Sequence, residues 1–295
     1  MWLFRARLCR PASVLPALFF FVLLCGVCGA GTSVNIPVGS RLYRDFERLE
    51  MKGLLESSML ATRPFDRLEG ARLVTEAVDR AALNGVDGFS GARPLIYRLE
   101  REFSEELFAP GGEYARLKPV SSAYFKTLWV DDDPFFAEIN NNGDNLRGGL
   151  NQRIGFVLTG SLFDAASFYL NPEFRADEDG ARGRLVHGYV KLDFLGLSLL
   201  AGRDSLWWGP GFHGNLLVTN NAKPFDQVML TSRHPFLLPW VFSRIGLLKP
   251  VVFLTRLEAD RDYPRANLLG MRLDIKPTPN LELSLNRVFM FGGEG

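Results

Sequence analysis

The most informative pattern in this chain is the alternation of apolar and polar residues in its second half. In residues 184–194, polar residues such as Lys191 and Asp193 stand between apolar ones, and the same period of two recurs in residues 268–276 and 281–286. Successive side chains of a strand point to opposite faces, so each segment predicts a strand with one apolar and one polar face. A membrane barrel and a soluble sandwich share this pattern, and periodicity alone does not say which face lies inside.

The first part of the chain has helical spacing instead. Between residues 37 and 108, apolar residues recur every three or four positions. Thr62 and Pro64 have the arrangement of a helix start, with a capping threonine and a proline in the first turn, and Pro94 opens a further helix. The pattern predicts a helical bundle in residues 31–116 and strands in residues 117–295.

The connections between the predicted strands alternate in length. Residues 131–152 and 172–183 are long polar segments, whereas residues 160–164 and 195–196 suit tight turns, and a further long segment begins at Ser205. Outer-membrane barrels have long extracellular loops and short periplasmic turns. The chain is therefore predicted to be mainly β: an outer-membrane antiparallel β-barrel preceded by a small periplasmic α-helical bundle.

The end of the sequence bears on closure of the barrel. Residues 291–295 directly follow a strand and lack the terminal aromatic residue expected on a closing strand. About nine or ten strands are recognisable by their alternation. We therefore expect the N-terminal part of a barrel, incomplete in this chain. We also expect this part alone not to seal, because an open edge in lipid leaves backbone groups unpaired.

The N-terminus has the features of a cleavable signal peptide. Arg5 and Arg7 precede an apolar run, and small residues end it near Ala30. The run contains Pro16 and is shorter than the roughly 20 apolar residues of an anchoring helix, which is the alternative. We expect residues 1–30 to be removed during export. All three cysteines lie in this leader, so the mature chain is predicted to have no disulfide and no cysteine chemistry.

Composition narrows the possible classes further. The net charge of +1 gives no reason to expect a nucleic-acid partner. Mean hydropathy near zero argues against a helical membrane protein, whereas a barrel dilutes its apolar residues with polar interior ones. The 24 phenylalanines against 7 tyrosines suit a lipid-facing surface, although a globular core also absorbs them.

The most unusual segment joins two predicted strands. It contains Trp-Trp-Gly-Pro-Gly at residues 207–211 and Asn-Asn-Ala-Lys-Pro-Phe at residues 220–225, after a Gly-Arg at a strand end. These motifs resemble the hallmark block of the capsule-assembly Wzi family. Residues 36–54, residues 63–65 and the closing Gly-Gly-Glu-Gly at residues 292–295 are also similar to that family.

The resemblance extends over most of the chain beyond the leader, but only over the N-terminal part of a family member. It implies an outer-membrane, lectin-like protein that helps to hold capsular polysaccharide on the cell surface. It also implies a large barrel with a helical bundle at its periplasmic mouth.

The same segment supplies residues that suit sugar recognition. Indole rings stack on the apolar faces of pyranose rings, and asparagine side chains donate and accept hydrogen bonds with hydroxyl groups. Alternatively, the tryptophans belong to an aromatic girdle or pack an interior plug, and the Gly-Pro residues only shape a turn. The candidate carbohydrate-binding residues are Trp207, Trp208, His213, Asn215, Asn220 and Asn221.

Other candidate sites have weaker support. Asp131, Asp132 and Asp133 with Glu138 suit a divalent cation, but a solvated extracellular loop is the favoured interpretation. The three histidines lack metal-ligand spacing, and the nucleophile motif Gly-x-Ser-x-Gly does not occur. We expect no metal, no cofactor and no catalytic residue.

Charged residues on the polar strand faces predict a ladder of charges in the barrel interior. Such ladders are usually structural, and carboxylate pairs are not assigned a catalytic role without geometry. The expected members are Arg203, Asp204, Asp193, Arg272 and Asp274.

Three classes of function fit the sequence. The leading hypothesis is a non-enzymatic, monomeric outer-membrane protein that binds capsular or other surface polysaccharide and assists capsule assembly or attachment. The alternative is a porin-like diffusion channel. An outer-membrane hydrolase ranks last, because it needs a nucleophile and base pair that the sequence does not show. The expected partners are polysaccharide and outer-membrane lipid, with no nucleic acid.

Overall fold

The computed structural model describes residues 31–83, 91–108, 115–132, 139–260 and 262–294, and the predicted leader lies outside them. The helices are α1 (Leu42–Met51), α2 (Arg67–Leu83), α3 (Arg93–Glu102) and α4 (Ser104–Phe108), with a 3-10 helix at Trp240–Ile245. The strands are β1 (Thr62–Arg63), β2 (Ala115–Val130), β3 (Gly149–Leu162), β4 (Ala166–Asp177), β5 (Gly180–Phe194), β6 (Leu197–Asp204), β7 (Trp207–Trp208), β8 (Phe225–Ser232), β9 (Phe236–Leu237), β10 (Leu247–Arg256), β11 (Asn267–Thr278) and β12 (Leu281–Phe291).

Helices α1 to α4 and the segments between them form a helical unit with its own apolar core. Phe46 of α1 lies 5.7 Å from the ring of Phe65 and 5.8 Å from that of Phe103. Leu73 of α2 and Leu99 of α3 are also fully buried, so one face of each helix is turned inward. No helix in the described ranges is both long and apolar enough to cross a membrane.

The predicted helix start at Thr62 and Pro64 is wrong. Helix α2 begins at Arg67, and the Asp66 carboxylate accepts a hydrogen bond of 2.8 Å from the backbone N–H of Glu69, as a helix N-cap does. Thr62 instead belongs to β1, which pairs with β7. Threonine and aspartate both serve as helix N-caps, so the residue types alone did not distinguish Thr62 from Asp66.

A single antiparallel sheet of ten strands makes up most of the remaining structure. Its order is β12-β11-β10-β8-β6-β5-β4-β3-β2, and β9 also pairs with β10. Strands β2 and β12 are the two edges, and no pairing joins them in the described residues. The predicted fold class, mainly antiparallel β with helices at the N-terminus, is confirmed.

Because the strands alternate in direction, their connections fall at two ends of the sheet. The turn end holds the tight connections at residues 163–165, 195–196 and 279–280. The loop end holds the long connections, including residues 205–224 and 257–266. Long and short connections therefore separate as expected from the sequence, except that residues 233–246 form a long connection at the turn end.

One connection at the loop end differs from the expectation. Residues 172–183 were expected to form a long loop, but β4 continues to Asp177 and β5 begins at Gly180. Pro172 lies at a register shift beside Asn171, where a strand tolerates a residue that has no N–H to donate. Proline and charged residues made this segment resemble a loop, although both strands continue through it.

The sheet is apolar on its exposed face and polar on its buried face. On β5, Lys191 is 2% exposed whereas its neighbour Leu192 is 44% exposed. On β11, Arg272 and Asp274 are buried, whereas the alternating residues Met271, Leu273 and Ile275 are more exposed and face outward. A soluble sandwich has the reverse arrangement, with its charges outside. The strands therefore do not have the pattern of a soluble sandwich, which the sequence alone had left as an alternative. This polarity is that of a barrel wall facing lipid.

Candidate functional site

The helical unit packs against the buried face of the sheet through polar contacts. The Lys191 Nζ atom lies 2.7 Å from the Asp66 carboxylate and 3.4 Å from that of Asp193. The Thr62 hydroxyl donates to Asp274, which also pairs with Arg272 at 2.7 Å. Residues 31–36 and 58–66 thus occupy the interior, which means that the interior charges are shared between the sheet and the N-terminal part of the chain.

The carboxylates of the helical unit at this contact remain ionised at neutral pH. Burial alone would raise the pKa of the Asp66 carboxyl, but Lys191 and His234 more than offset it, and the pKa lies below its usual range. Burial likewise opposes ionisation of Glu69, where hydrogen bonds from Arg72 and His234 lower the pKa. The helical unit therefore contributes two ionised carboxylates to this contact.

The predicted charge ladder is only partly present. Asp193, Asp204, Arg272 and Asp274 are buried in the interior, as expected. Arg203 is not a member, because it forms a bidentate pair with Asp226 on the exposed side of the neighbouring strand, at 2.7 Å and 2.5 Å. Asp204 instead accepts a hydrogen bond of 2.9 Å from the Asn35 side chain. Adjacent residues of a strand point to opposite faces, so Arg203 and Asp204 cannot both belong to the ladder.

Trp207 and Trp208 form strand β7, which pairs with β1 in a separate two-stranded sheet. They pair with Arg63 and Thr62 of β1, and each indole is 3% exposed. The Trp207 Nε1–H donates to the Gly211 carbonyl at 3.1 Å, and the Trp208 ring lies 5.2 Å from that of Phe253. Both rings are therefore enclosed by protein, and their faces are not open for stacking.

The other candidate residues meet at the loop end. The Asn220 side chain donates to the Asn140 carbonyl at 3.0 Å, and the Asn140 backbone N–H donates to Asn221 Oδ1 at 2.7 Å. The Asn140 side chain donates to the His213 carbonyl at 3.0 Å. Asn215 accepts from the Gly211 N–H at 3.1 Å. We call residues 139–142 and 211–221 the loop cluster.

Within the loop cluster, exposure separates binding candidates from structural ones. His213 and Asn221 are exposed, Asn215 is half-buried and Asn220 is buried. Phe212, which the sequence analysis did not select, is 54% exposed, and its ring lies 4.8 Å from that of His213. Phe212 has no motif that marks it in the sequence, and only the structure shows its open face.

A chain of hydrogen bonds joins the loop cluster to the segment that precedes α1. Asn35 donates to Asp204, which accepts from the Ser205 N–H at 2.9 Å, and the Ser205 hydroxyl donates to Asn142 at 2.7 Å. The Asn142 N–H then donates to the Asn220 carbonyl at 2.8 Å. Ser205 and Asn142 were missed in the sequence, because neither has a motif and they are distant along the chain.

His187 contacts Ser205, one of the residues in this series of hydrogen bonds. Its Nε2 lies 3.0 Å from the Ser205 hydroxyl oxygen. Because that hydroxyl donates to Asn142, His187 is assigned the tautomer with its proton on Nε2. Both His187 and Ser205 are buried, so the contact is internal.

The structure describes only Asp131 and Asp132 of the four residues predicted as cation ligands. Asp133 and Glu138, two members of the predicted cation cluster, lie outside the described residues. His234 is 2.5 Å from Glu69, far from the loop cluster that holds His213. Within the described ranges, no group of three or more histidine, cysteine, aspartate or glutamate side chains is arranged to hold a metal ion.

An antiparallel sheet with an apolar outer face and a filled polar interior defines the class as a β-barrel wall of the outer-membrane type. The family described as "Capsule assembly protein Wzi" matches residues 131–295. That match spans more than half of the sequence, and the chain belongs to this family.

Two relatives agree with that assignment. An "Uncharacterized 55.8 kDa protein in cps region" of Klebsiella pneumoniae is 24% identical over 278 residues, covering 90% of this chain and 48% of the relative. The solved structure of Escherichia coli Wzi is 18% identical, with a TM-score of 0.65, and the match covers 90% of this chain and 54% of that one. That protein is described as an outer-membrane protein involved in group 1 capsule assembly and as a carbohydrate-binding β-barrel. The chain thus spans about half the length of these relatives.

Proposed function

We propose that this chain acts in the outer membrane as a non-enzymatic protein that binds surface polysaccharide and assists capsule assembly or attachment. The observation that carries the proposal is the exposed loop cluster at one end of a sheet with an apolar outer face. Membership of the Wzi family and the description of the E. coli relative support polysaccharide as the ligand. The partners are then polysaccharide and outer-membrane lipid, and the protein acts as a monomer.

In this proposal, the residues of the loop cluster have two roles. Phe212 offers an open ring to the apolar face of a sugar, and His213 and Asn221 offer polar groups beside it. Trp207 and Trp208 hold the loop in place through Gly211 and Phe253. These exposed groups bind sugars through stacking and hydrogen bonds, so no bond-making step is required.

The decisive experiment replaces the open ring in the full-length protein. Phe212→Ala is expected to leave the abundance in outer membranes unchanged while more polysaccharide is released into the medium. One aromatic contact is worth about 1 kcal/mol, so the affinity of a single site falls roughly fivefold. The measurements are protein abundance in outer-membrane fractions, and the ratio of cell-bound to released polysaccharide.

Leu216→Ala is the matched control, because Leu216 is fully exposed in the same loop but has no ring. It is expected to retain polysaccharide as the unchanged protein does. Equal retention by both variants contradicts the proposed role of Phe212. Recovery of the unchanged protein from the soluble periplasmic fraction contradicts the outer-membrane location itself.

The polar interior is also what a diffusion channel requires, and this is the second candidate function. The interior contains residues 31–36 and 58–66, held by contacts such as Asp66 with Lys191 and Thr62 with Asp274. We therefore expect the full-length protein to be non-conducting in planar bilayers. Steady conductance without any truncation contradicts this expectation and favours the channel.

A further inference from the structure

The connection between β8 and β10 carries an exposed apolar surface at the turn end. It includes β9 and the 3-10 helix, and Trp240 is 89% exposed. Leu237, Val241 and Phe242 are exposed beside it, and we call residues 237–245 the apolar hairpin. Exposed apolar side chains packed this closely mark a surface that meets something other than water.

The apolar hairpin has a fixed shape. The Ser243 hydroxyl donates to the Trp240 carbonyl at 2.7 Å, and the Gly246 N–H donates to the Ser243 carbonyl at 3.1 Å. Gly246 has a φ of 95°, and a Cβ atom there would lie 2.1 Å from the Lys276 carbonyl oxygen. Only glycine fits at this position, so the backbone is constrained where the apolar hairpin returns to β10.

The apolar hairpin is continuous with the apolar outer face of the sheet. Strand β9 continues the line of β8 beside β10, where Leu237 pairs with Leu247. In the neighbouring turns at the same end, Phe163 and Leu195 are also exposed. The exposed apolar positions therefore form a belt at the level of the turns, as expected where a barrel leaves the membrane.

The charge beside this surface indicates the partner. Arg244 is exposed within the 3-10 helix and has no ion-pair partner in the described part of the chain. Tryptophan favours the headgroup level of a bilayer, and an arginine at that level reaches the lipid phosphates. We propose that the apolar hairpin is an interfacial anchor, seated among phospholipid headgroups at the turn end. This inference rests on the proposed outer-membrane location.

Tryptophan fluorescence in bilayers tests the anchor directly. The full-length protein is purified from outer membranes and reconstituted in phosphatidylcholine brominated either near the headgroup or near the chain end. Trp240→Phe identifies the emission of that ring by difference. Trp129→Phe is the matched control, because Trp129 is an exposed ring on β2 at the loop end.

The expected result is that lipid brominated near the headgroup removes more of the Trp240 emission than lipid brominated near the chain end. Quenching of Trp129 without quenching of Trp240 overturns the anchor while leaving the barrel in the membrane. Stronger quenching of Trp240 by the deeper bromines overturns its headgroup placement. If neither ring is quenched, the proposed membrane location has failed, and the anchor fails with it.

Discussion

Lys191 joins the sheet to the helical unit through Asp66, also contacts Asp193 of its own strand, and is almost completely buried. Lys191→Met keeps most of its volume but leaves Asp66 and Asp193 buried without their cation. Removing one partner from a buried ion pair typically costs about 3–5 kcal/mol. The free energy of unfolding in urea, measured on the detergent-solubilised protein, is expected to fall by that order.

A surface lysine provides the comparison for this prediction. Lys223 is 3.7 Å from Glu258, and both side chains are largely exposed, so Lys223→Met is expected to cost about 0–1 kcal/mol. Adding Asp66→Asn to Lys191→Met is expected to restore part of the stability, because one buried negative charge is removed. Equal losses from the two lysine variants contradict an ionic contact in the interior.

At the residue scale, the sequence predicted the face of most interior charges, although not that of Arg203, and it did not predict which groups these charges contact. Lys191 and Asp193 were correctly placed on the polar face by their period of two. Their partners Asp66 and Thr32 are more than a hundred positions away along the chain, so a local sequence pattern cannot predict these contacts. The same limit hid Phe212, because exposure depends on how two distant loops pack.

At the scale of elements, Gly202 determines how closely β5 and β6 approach. Its φ is 134°, and a Cβ atom there would lie 2.3 Å from the Gly188 carbonyl oxygen. Gly202→Ala is therefore expected to disrupt the pairing of these strands and to reduce the folded protein in outer membranes. Gly183→Ala on β5 is the control, since no atom lies within 4 Å of an added Cβ there. Heat-modifiable migration on gels measures the folded fraction, and equal folding of both variants contradicts the prediction.

The sequence predicted elements well where one rule acted alone. Alternation located β5, β11 and β12, and the turn at residues 195–196 was placed correctly. The prediction failed at Pro172, where two rules compete. Proline usually indicates a loop, but here a register shift of the strand pair accommodates it. Strand β7 was also unpredictable, because two tryptophans form a strand only when Thr62 and Arg63 lie beside them.

At the scale of the whole molecule, the outer face of the sheet decides where the protein resides. Val252, in the middle of β10, is exposed on that face. A lysine near the middle of a lipid-facing strand costs about 2–4 kcal/mol, so Val252→Lys is expected to reduce the protein in outer membranes. Leu216→Lys in the loop cluster is the control, because that side chain is already in water in this proposal. Unchanged abundance of both variants indicates that the outer face does not meet lipid.

The contact between Thr62 and Asp274 joins residues that are 212 positions apart, and Asn35 reaches Asp204 across 169 positions. Contacts of this separation give a high contact order, which slows folding because long segments must be ordered before the contacts form. Residues 31–36 and 58–66 lie against the buried face of the sheet and are held there by these contacts. The strands therefore have to assemble around these segments, and the interior is enclosed during assembly rather than filled after it.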